Sequence, residues 1–243
     1  MKRIAVLFVT ITLILFTAFS SGCGKSPAVT AAPSKYPDFK TDTVGTFNAT
    51  DPVAVITMKD GAVITLELRP DQAPNTVDSF IYLANNGFYD GVIFHRIMQN
   101  FMIQSGDPEG TGQGGPGYEI KGEFSNNGFT QNTLSHKAGV LSTARQGDAQ
   151  DSSKYFNTAG SQFFICDADS TFLDHKYAAF GAVISGMDAV HNIATLPVTD
   201  DNGTVQRNAQ GTIADTGIIA TIRVDTKGKT YPVPEIVSGK LPY

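Results

Sequence analysis

The chain has 243 residues, 41% of them hydrophobic and 17% charged, with a net charge of −5. Those proportions are those of a globular protein and exclude a disordered one. The acidic balance, with no cluster of Lys and Arg, excludes a nucleic-acid or anionic-membrane surface, since both need concentrated positive charge. The length fits one large domain or two small ones, and no internal repeat at a period of roughly 20–50 residues is visible.

The first element lies outside the fold. Lys2 and Arg3 precede an uncharged apolar run from Ile4 to Phe19, too short for a membrane-spanning helix of ~20 residues and suited to the core of an export signal over residues 1–22. Ser20-Ser21-Gly22-Cys23 resembles a bacterial lipoprotein cleavage box, with Ser20 where leucine is usual, and predicts lipidation of Cys23 as the first mature residue. Cleavage would remove two cations and take the net charge from −5 to −7. Residues 23–50, rich in Ser, Pro, Ala, Thr and Lys, read as a flexible tether. The expected location is therefore outside the cytoplasm, on the bacterial membrane, held there by lipid alone. With Cys23 so occupied, Cys166 has no partner within the chain and reads as a small buried thiol closing an apolar strand.

The folded domain is expected over 51–243. Val53–Met58 and Ala62–Leu68 flank Lys59-Asp60-Gly61, and an Asp-Gly pair between β-rich runs predicts a hairpin. Pro74 opens a helix in which Val77, Phe80, Ile81 and Ala84 keep the helical period until Gly87 stops it. Strands are predicted at Val92–Met98, Phe101–Gln104, Gly139–Ala144, Gln162–Cys166, Ala179–Ile184 and Ile218–Asp225. A second helix runs from Met187 to Leu196, with Val190, Ile193 and Ala194 on one face and Pro197 ending it. Many short strands with Gly-rich turns predict a mainly-β antiparallel barrel or sandwich carrying two helices.

Two segments stand out chemically. Phe94-His95-Arg96-Ile97 leads into Phe101-Met102-Ile103-Gln104-Ser105-Gly106-Asp107, and Gly160-Ser161-Gln162-Phe163-Phe164-Ile165-Cys166 follows later. Each sets polar side chains into a strand otherwise fit for burial. A guanidinium and two amides over an apolar floor suit a greasy ring attached to a peptide bond. The run FHR-x4-FM-x-Q-x-GD, then GSQFFI, then Phe172-Leu173-Asp174, resembles the cyclophilin-type peptidyl-prolyl isomerases, over roughly Pro52 to Glu235.

The resemblance implies a closed eight-stranded antiparallel β-barrel capped by two α-helices, and peptidyl-prolyl cis-trans isomerase activity. It marks the links at 146–159 and 199–216 as longer than the family's own. The first lies beside the expected site and reads equally well as a substrate-contacting loop or a solvated insertion.

An X–Pro bond rotates over a barrier of ~18–20 kcal/mol, so uncatalysed exchange takes roughly tens to hundreds of seconds. Millisecond turnover asks for ~5.5–7 kcal/mol of transition-state stabilisation, and neither a nucleophile nor a metal is needed to supply it. Twisting the bond frees the prolyl nitrogen lone pair, and a fixed guanidinium can donate to it or to the adjacent carbonyl. The resemblance gives that role to Arg96, with Phe101 and Gln104 grouped beside it as catalytic residues. It matches Phe101, Met102, Phe164 and Leu173 to the proline pocket. Phe101 and Met102 are adjacent, and on a regular strand they would face opposite ways. Gln104 and Gln162 match positions that orient the arginine or bind substrate backbone. His95 matches a site position but alternates away from Arg96. Ala144 and Arg145 match the edge along which substrate backbone runs, with Arg145 where many relatives have asparagine. Tyr177 replaces a common histidine and remains a binding residue. Phe172 stands where cyclosporin-sensitive relatives have tryptophan, and the chain has no Trp. Losing the indole donor predicts weak cyclosporin binding.

No cofactor or metal is expected. Gly110-Thr111-Gly112-Gln113-Gly114-Gly115 fits G-x-G-x-x-G, but Pro116-Gly117 follows where a helix should start. His95, His136, His175 and His191 lack metal-ligand spacing, and no nucleophile elbow is present. The expected partners are proline-containing unfolded or flexible polypeptides, and a monomer is expected. The alternative reading is a non-catalytic chaperone module that clamps proline peptides. The intact set of Arg96, both glutamines and the apolar wall favours the enzyme.

Overall fold

In the computed structural model, which describes residues 48–147 and 153–243, the first hairpin forms as its residues demand. Val53–Met58 (β1) and Val63–Leu68 (β2) pair antiparallel, with Val53 opposite Glu67 and Thr57 opposite Val63. Ala54, Ile56 and Met58 on one strand and Ile64, Leu66 and Leu68 on the other are 0–1% exposed, at the period of two that a half-buried strand requires. The turn closes at Gly61, whose φ of +91° suits glycine. Residues just before the expected boundary at 51 are tied to the first hairpin. Asp51 N donates to Asn48 O at 2.9 Å, and Asn48 N donates to the buried Glu67 carboxylate at 2.9 Å. The segment expected to be an export signal, Cys23, most of the expected tether and residues 148–152 lie outside the described residues.

Pro74–Asn85 forms α1. Its start lacks the side-chain cap that a Ser, Thr, Asp or Asn would give, because Ala73 stands at that position. Glu123 supplies the cap from a distance, taking the amides of Asn75 at 3.1 Å and Thr76 at 2.8 Å. A buried carboxylate at a helix N-terminus also opposes the helix dipole. Val77, Phe80, Leu83 and Ala84 face the core, and Asn85 exchanges two hydrogen bonds with the main chain of Val224.

The remaining strands are Arg96–Met98 (β3), Met102–Ser105 (β4), Tyr118–Glu119 (β5), Val140–Thr143 (β6), Phe163–Cys166 (β7), Ala179–Ser185 (β8), Ile219–Asp225 (β9) and Ser238–Gly239 (β10). Met187–Ala194 forms α2, packed on β2, β3 and β4. Eight strands make one antiparallel sheet in the order β3-β4-β7-β6-β8-β2-β1-β9. The strand expected over 92–98 keeps only β3. Its first residues instead reach the far edge of the sheet, where Ile93 bridges Ile218. There Phe94 N donates to Gly217 O and Ile219 N to Val92 O, both at 2.9 Å. These bonds join the two edges, and the sheet curls into the expected barrel. Inside it Phe80, Tyr89, Phe163 and Phe180 pack at centroid distances of 5.3–5.7 Å, the spacing of tilted and edge-on aromatic pairs.

The ribbon of β5 and β10 was not expected. It brings the C-terminal segment back across the domain, with Ser238 opposite Glu119. Glu235 and Asn75 tie the same segment to α1 through two hydrogen bonds. No helix among the described residues is long and apolar enough to cross a membrane.

Candidate active site

Alternation along the strands sorts side chains onto two faces of one sheet. Ile103, Leu141, Phe163 and Ile165 enter the barrel core, while Met102, Val140, Phe164, Cys166 and Ala179 form a second apolar cluster on the outer wall. Register then aligns the polar groups with that outer cluster. Arg96 on β3 lies opposite Gln104 on β4, which lies opposite Phe164 on β7, which lies opposite Ser142 on β6. One rank across four strands therefore sets the guanidinium beside an amide and an aromatic ring.

Arg96 is held at three points. Its Nε donates to Asn202 O at 2.9 Å, Nη1 to Gln104 Oε1 at 3.2 Å, and Nη2 lies 3.0 Å from Met98 Sδ. Gln104 Nε2 donates onward to Gln162 Oε1 at 2.9 Å. Gln162 Nε2 ends the relay on the carbonyls of Gly112 at 3.1 Å and Gly114 at 2.8 Å. A guanidinium can only donate and a peptide carbonyl can only accept, so each glutamine has one permitted amide orientation. No carboxylate among the described residues pairs with Arg96; its partners are dipoles and sulfur. Burial pulls its pKa below the ordinary arginine value, with Tyr177 acting in the opposite sense. The result is a partly desolvated cation with no counter-ion among the described residues.

That cation borders a cavity of about 110 Å³ lined by Arg96, Phe101, Met102, Gln104, Ala144, Arg145, Phe164, Leu173 and Tyr177. Its volume is near that of four waters at ~30 Å³ each, a size for a small ring. Phe101 and Met102 both line it, contrary to the expectation of opposite faces. Phe101 sits in the turn ahead of β4, where its N donates to Met98 O at 3.0 Å, so strand alternation does not govern it. A second cavity of about 620 Å³ adjoins the first, lined by Gln162, the Gly112–Gly115 loop, Tyr118, Glu119, Tyr155 and Ser238 among others. Gln104, Ala144 and Arg145 line both and divide them.

Arg145 is fixed by aromatic rings as well as by hydrogen bonds. Its guanidinium carbon lies 4.6 Å from the Tyr177 ring centroid, 5.1 Å from Phe156 and 5.6 Å from Phe124. Nε donates to Lys176 O and Nη1 to Gln146 O. Cation–π contact of this kind holds a guanidinium at little cost in solvation. Nothing in the sequence spacing pointed to Phe124 or Phe156 as its partners. Phe172 packs against Phe101 in a tilted pair with centroids 5.4 Å apart yet is 62% exposed, so it borders the small cavity without lining it.

His95 lines neither cavity. It is 5% exposed, both ring nitrogens lack a partner, and the ring lies under the glycine loop within 3.9 Å of a Cβ built at Gly112. Burial lowers its pKa, so the neutral ring sits beneath the loop. A Ser142-His136-Asp174 set, its first two members buried, was also missed as a unit. His136 Nδ1 lies 2.8 Å from Asp174 Oδ1 and Nε2 lies 3.0 Å from Ser142 Oγ. Ser142 and His136 are fully buried and line neither cavity, so Ser142 cannot meet a substrate. The ring instead stacks on Phe164 at 5.9 Å and supports the pocket floor. Cys166 lies in the same wall, where burial pushes its thiol up to about 12. Among the described residues no group of three His, Cys, Asp or Glu side chains is placed to hold a metal ion.

Comparison with known proteins converges on one family. The family model described as cyclophilin type peptidyl-prolyl cis-trans isomerase/CLD matches residues 53–218. Peptidyl-prolyl cis-trans isomerase B of Bacillus subtilis is 44% identical over 137 residues, covering 56% of this chain and 87% of that protein. A peptidyl-prolyl cis-trans isomerase of Synechococcus elongatus is 45% identical over 118 residues, 49% of this chain and 71% of that one. Among solved structures, a Cryptosporidium parvum cyclophilin type peptidyl-prolyl cis-trans isomerase in the presence of the dipeptide Ala-Pro superposes with a TM-score of 0.57 at 28% identity. It covers 71% of this chain and 98% of its own.

Proposed function

This chain belongs to the cyclophilin-type peptidyl-prolyl cis-trans isomerase family and is a peptidyl-prolyl isomerase, and we propose that Arg96 turns the X–Pro bond while the adjacent small cavity holds the proline ring. The observation that carries this reading is a partly desolvated guanidinium, held by dipoles and paired with no carboxylate among the described residues, at the rim of an apolar cavity. An uncompensated positive charge gains most where new lone-pair density develops, and the twisted amide offers that density on its prolyl nitrogen. A charge-assisted hydrogen bond is worth ~1.5–3 kcal/mol, part of the ~5.5–7 kcal/mol required. The remainder is supplied by seating the ring on Phe101, Met102, Phe164 and Leu173 so that rotation happens on one side of a fixed group.

The substrate edge runs past Ala144 and Arg145 into the larger cavity, where Gln162 and the carbonyl-lined glycine loop receive main chain. Tyr177 and Phe172 flank the small cavity. A relative solved with Ala-Pro supports an X–Pro dipeptide as the minimal ligand. The clients are exported, proline-containing polypeptides in unfolded or flexible form. The enzyme meets them as a monomer outside the cytoplasm, anchored by lipid on Cys23 after removal of residues 1–22, and binds cyclosporin weakly. Support for export and anchoring comes from the residue pattern of the first 23 positions. Mass analysis of the membrane fraction, beside Cys23→Ser, tests it: a diacylated Cys23 peptide is expected, and an unmodified secreted chain would remove the anchor.

The mechanism is tested by NMR exchange spectroscopy on an alanine-proline tetrapeptide with the full-length protein. Wild type should accelerate exchange, Arg96→Ala should lose at least about tenfold, and Arg96→Lys should lose nearly as much, because an ammonium cannot keep both anchors in one plane. Line broadening without acceleration by the wild type would replace the enzyme with a proline-binding chaperone module.

A further inference from the structure

We infer that Asp200, Asn202 and Gly203 form a positioning device for the isomerase site: the main-chain carbonyl of Asn202 orients the Arg96 guanidinium, and the Asp200 side chain and Gly203 set where that carbonyl points. This inference rests on the catalytic reading of Arg96.

β3 is an edge strand of the sheet, so its outer main-chain groups need a partner from elsewhere. The long link after α2 provides it. Ile97 N donates to Gly203 O at 2.7 Å, and Val205 N donates to His95 O at 3.0 Å, bracketing a bridge between Arg96 and Thr204. The link folds on itself as a short hairpin, with Val198 bridging Val205 and Thr199 N donating to Thr204 O at 2.8 Å. Its tip is locked by Asp200, whose carboxylate accepts from Thr204 N at 3.0 Å and from Thr204 Oγ1 at 2.8 Å. An aspartate that caps its own turn in this way fixes the peptide groups between. Gly203 stands at φ +83°, and a Cβ there would lie 2.3 Å from Ile97 O. Only glycine lets the tip lie this close to β3.

The geometry matters because two anchors define a plane and one does not. Gln104 holds Arg96 through Nη1 and Asn202 holds it through Nε. With only Gln104 and the weak Met98 sulfur contact left, the guanidinium can swing more freely, and the charge aimed at the prolyl nitrogen spreads over a wider arc. Misplacement of that order lowers the chemical step more than binding. The apolar cavity that grips proline contains no residue of the tip, so peptide affinity should be indifferent to it.

The test is steady-state exchange kinetics of the full-length protein with the alanine-proline tetrapeptide. It compares Asp200→Ala with Asp201→Ala, which removes an acidic charge from the same turn. Asp200→Ala should lower kcat about threefold to tenfold with KM within about twofold, while Asp201→Ala stays near wild type. In an Arg96→Ala background, Asp200→Ala should cost nothing further, the coupling expected if it acts through Arg96. The Arg96 Nε–H resonance should also exchange faster with water in Asp200→Ala and in Gly203→Ala, a readout independent of turnover. Unchanged kcat in Asp200→Ala, a loss confined to KM, or a loss that persists without Arg96 would each overturn the positioning role. Full activity in Arg96→Ala alone would overturn both this role and the catalytic reading beneath it.

Discussion

Gln104 is the middle member of the relay, and Gln104→Met isolates its contribution. Methionine keeps the length and most of the volume of glutamine but offers only a weak sulfur acceptor. The exchange deletes the 3.2 Å bond from Arg96 Nη1 and the 2.9 Å bond to Gln162 Oε1. A hydrogen bond to a charged group is worth ~1.5–3 kcal/mol and a neutral one ~0.5–1.5 kcal/mol. Asn202 still holds Nε, and cavity water can replace part of what Gln104 gave, so the lower end applies. About 1.5 kcal/mol is roughly tenfold in kcat at ~1.36 kcal/mol per decade. The apolar contacts to proline are untouched, and KM should stay within about twofold. Gln104→Glu makes a sharper comparison. Its carboxylate would grip Arg96 more tightly but would neutralise the charge and lose the donor to Gln162, so kcat should fall despite the firmer hold. Exchange spectroscopy across a peptide titration separates kcat from KM. Retention of more than about half the wild-type kcat in Gln104→Met would refute the relay, and wild-type kcat in Gln104→Glu would refute the importance of an unneutralised charge.

Three further outcomes follow from particular residues. Phe172 packs tilted against Phe101 while staying largely exposed, so Phe172→Trp keeps that contact and adds an outward N–H donor. Cyclosporin affinity by calorimetry should rise about threefold to tenfold, the worth of one net hydrogen bond, with isomerase activity retained. Asp78 on α1 has its carboxyl pushed up from 3.8 to about 6 by burial, with Glu123 and Glu235 adding to the effect. The native state therefore keeps a proton that the unfolded chain has released, and stability falls as pH rises from about 4 to 6. The shift alone would cost ~3 kcal/mol at neutral pH, and water on the open side of Asp78 reduces that to ~1–1.5 kcal/mol. Urea denaturation should find Asp78→Asn more stable by that amount at pH 7 and equal to wild type below pH 4; equal stability at pH 7 would count against the burial argument. Cys166, with a thiol held near 12, should resist thiol reagents at pH 8 until denaturant exposes it, and rapid native labelling would contradict its burial.

The sequence made the local elements legible and left the long-range ones dark. Asp60-Gly61 and the inward alternation of Ala54, Ile56 and Met58 specify the first hairpin within one window. Pro74 and Gly87 bracket α1 to within two residues of its end. Because the resemblance rested on long ordered motifs, nine residues named from it meet around one cavity. What escaped notice depends on groups far apart in the chain. Glu123 caps a helix whose own cap position is a mute Ala73. The β5–β10 ribbon joins two-residue strands, too short to show any period. His95 alternates away from Arg96 as read, yet its burial under the Gly112 loop depends on how 110–115 folds back. Asn202 acts through a backbone carbonyl, which every residue possesses and no side-chain pattern can advertise.

The closure of the barrel sets a limit on how heat can inactivate the enzyme. Every other neighbouring pair of strands is joined by a ladder, but between Val92–Phe94 and Gly217–Ile219 the cylinder is stitched by a few main-chain bonds. This seam is the line along which the sheet should open first, and β3, with Arg96, hangs directly from it. Amide exchange at Phe94 and Ile219 should outpace that of Ile56 or Ile165. Catalysis should then be lost some degrees before the far-UV signal of the sheet, as the wall carrying the charge swings out while the remaining staves stay together.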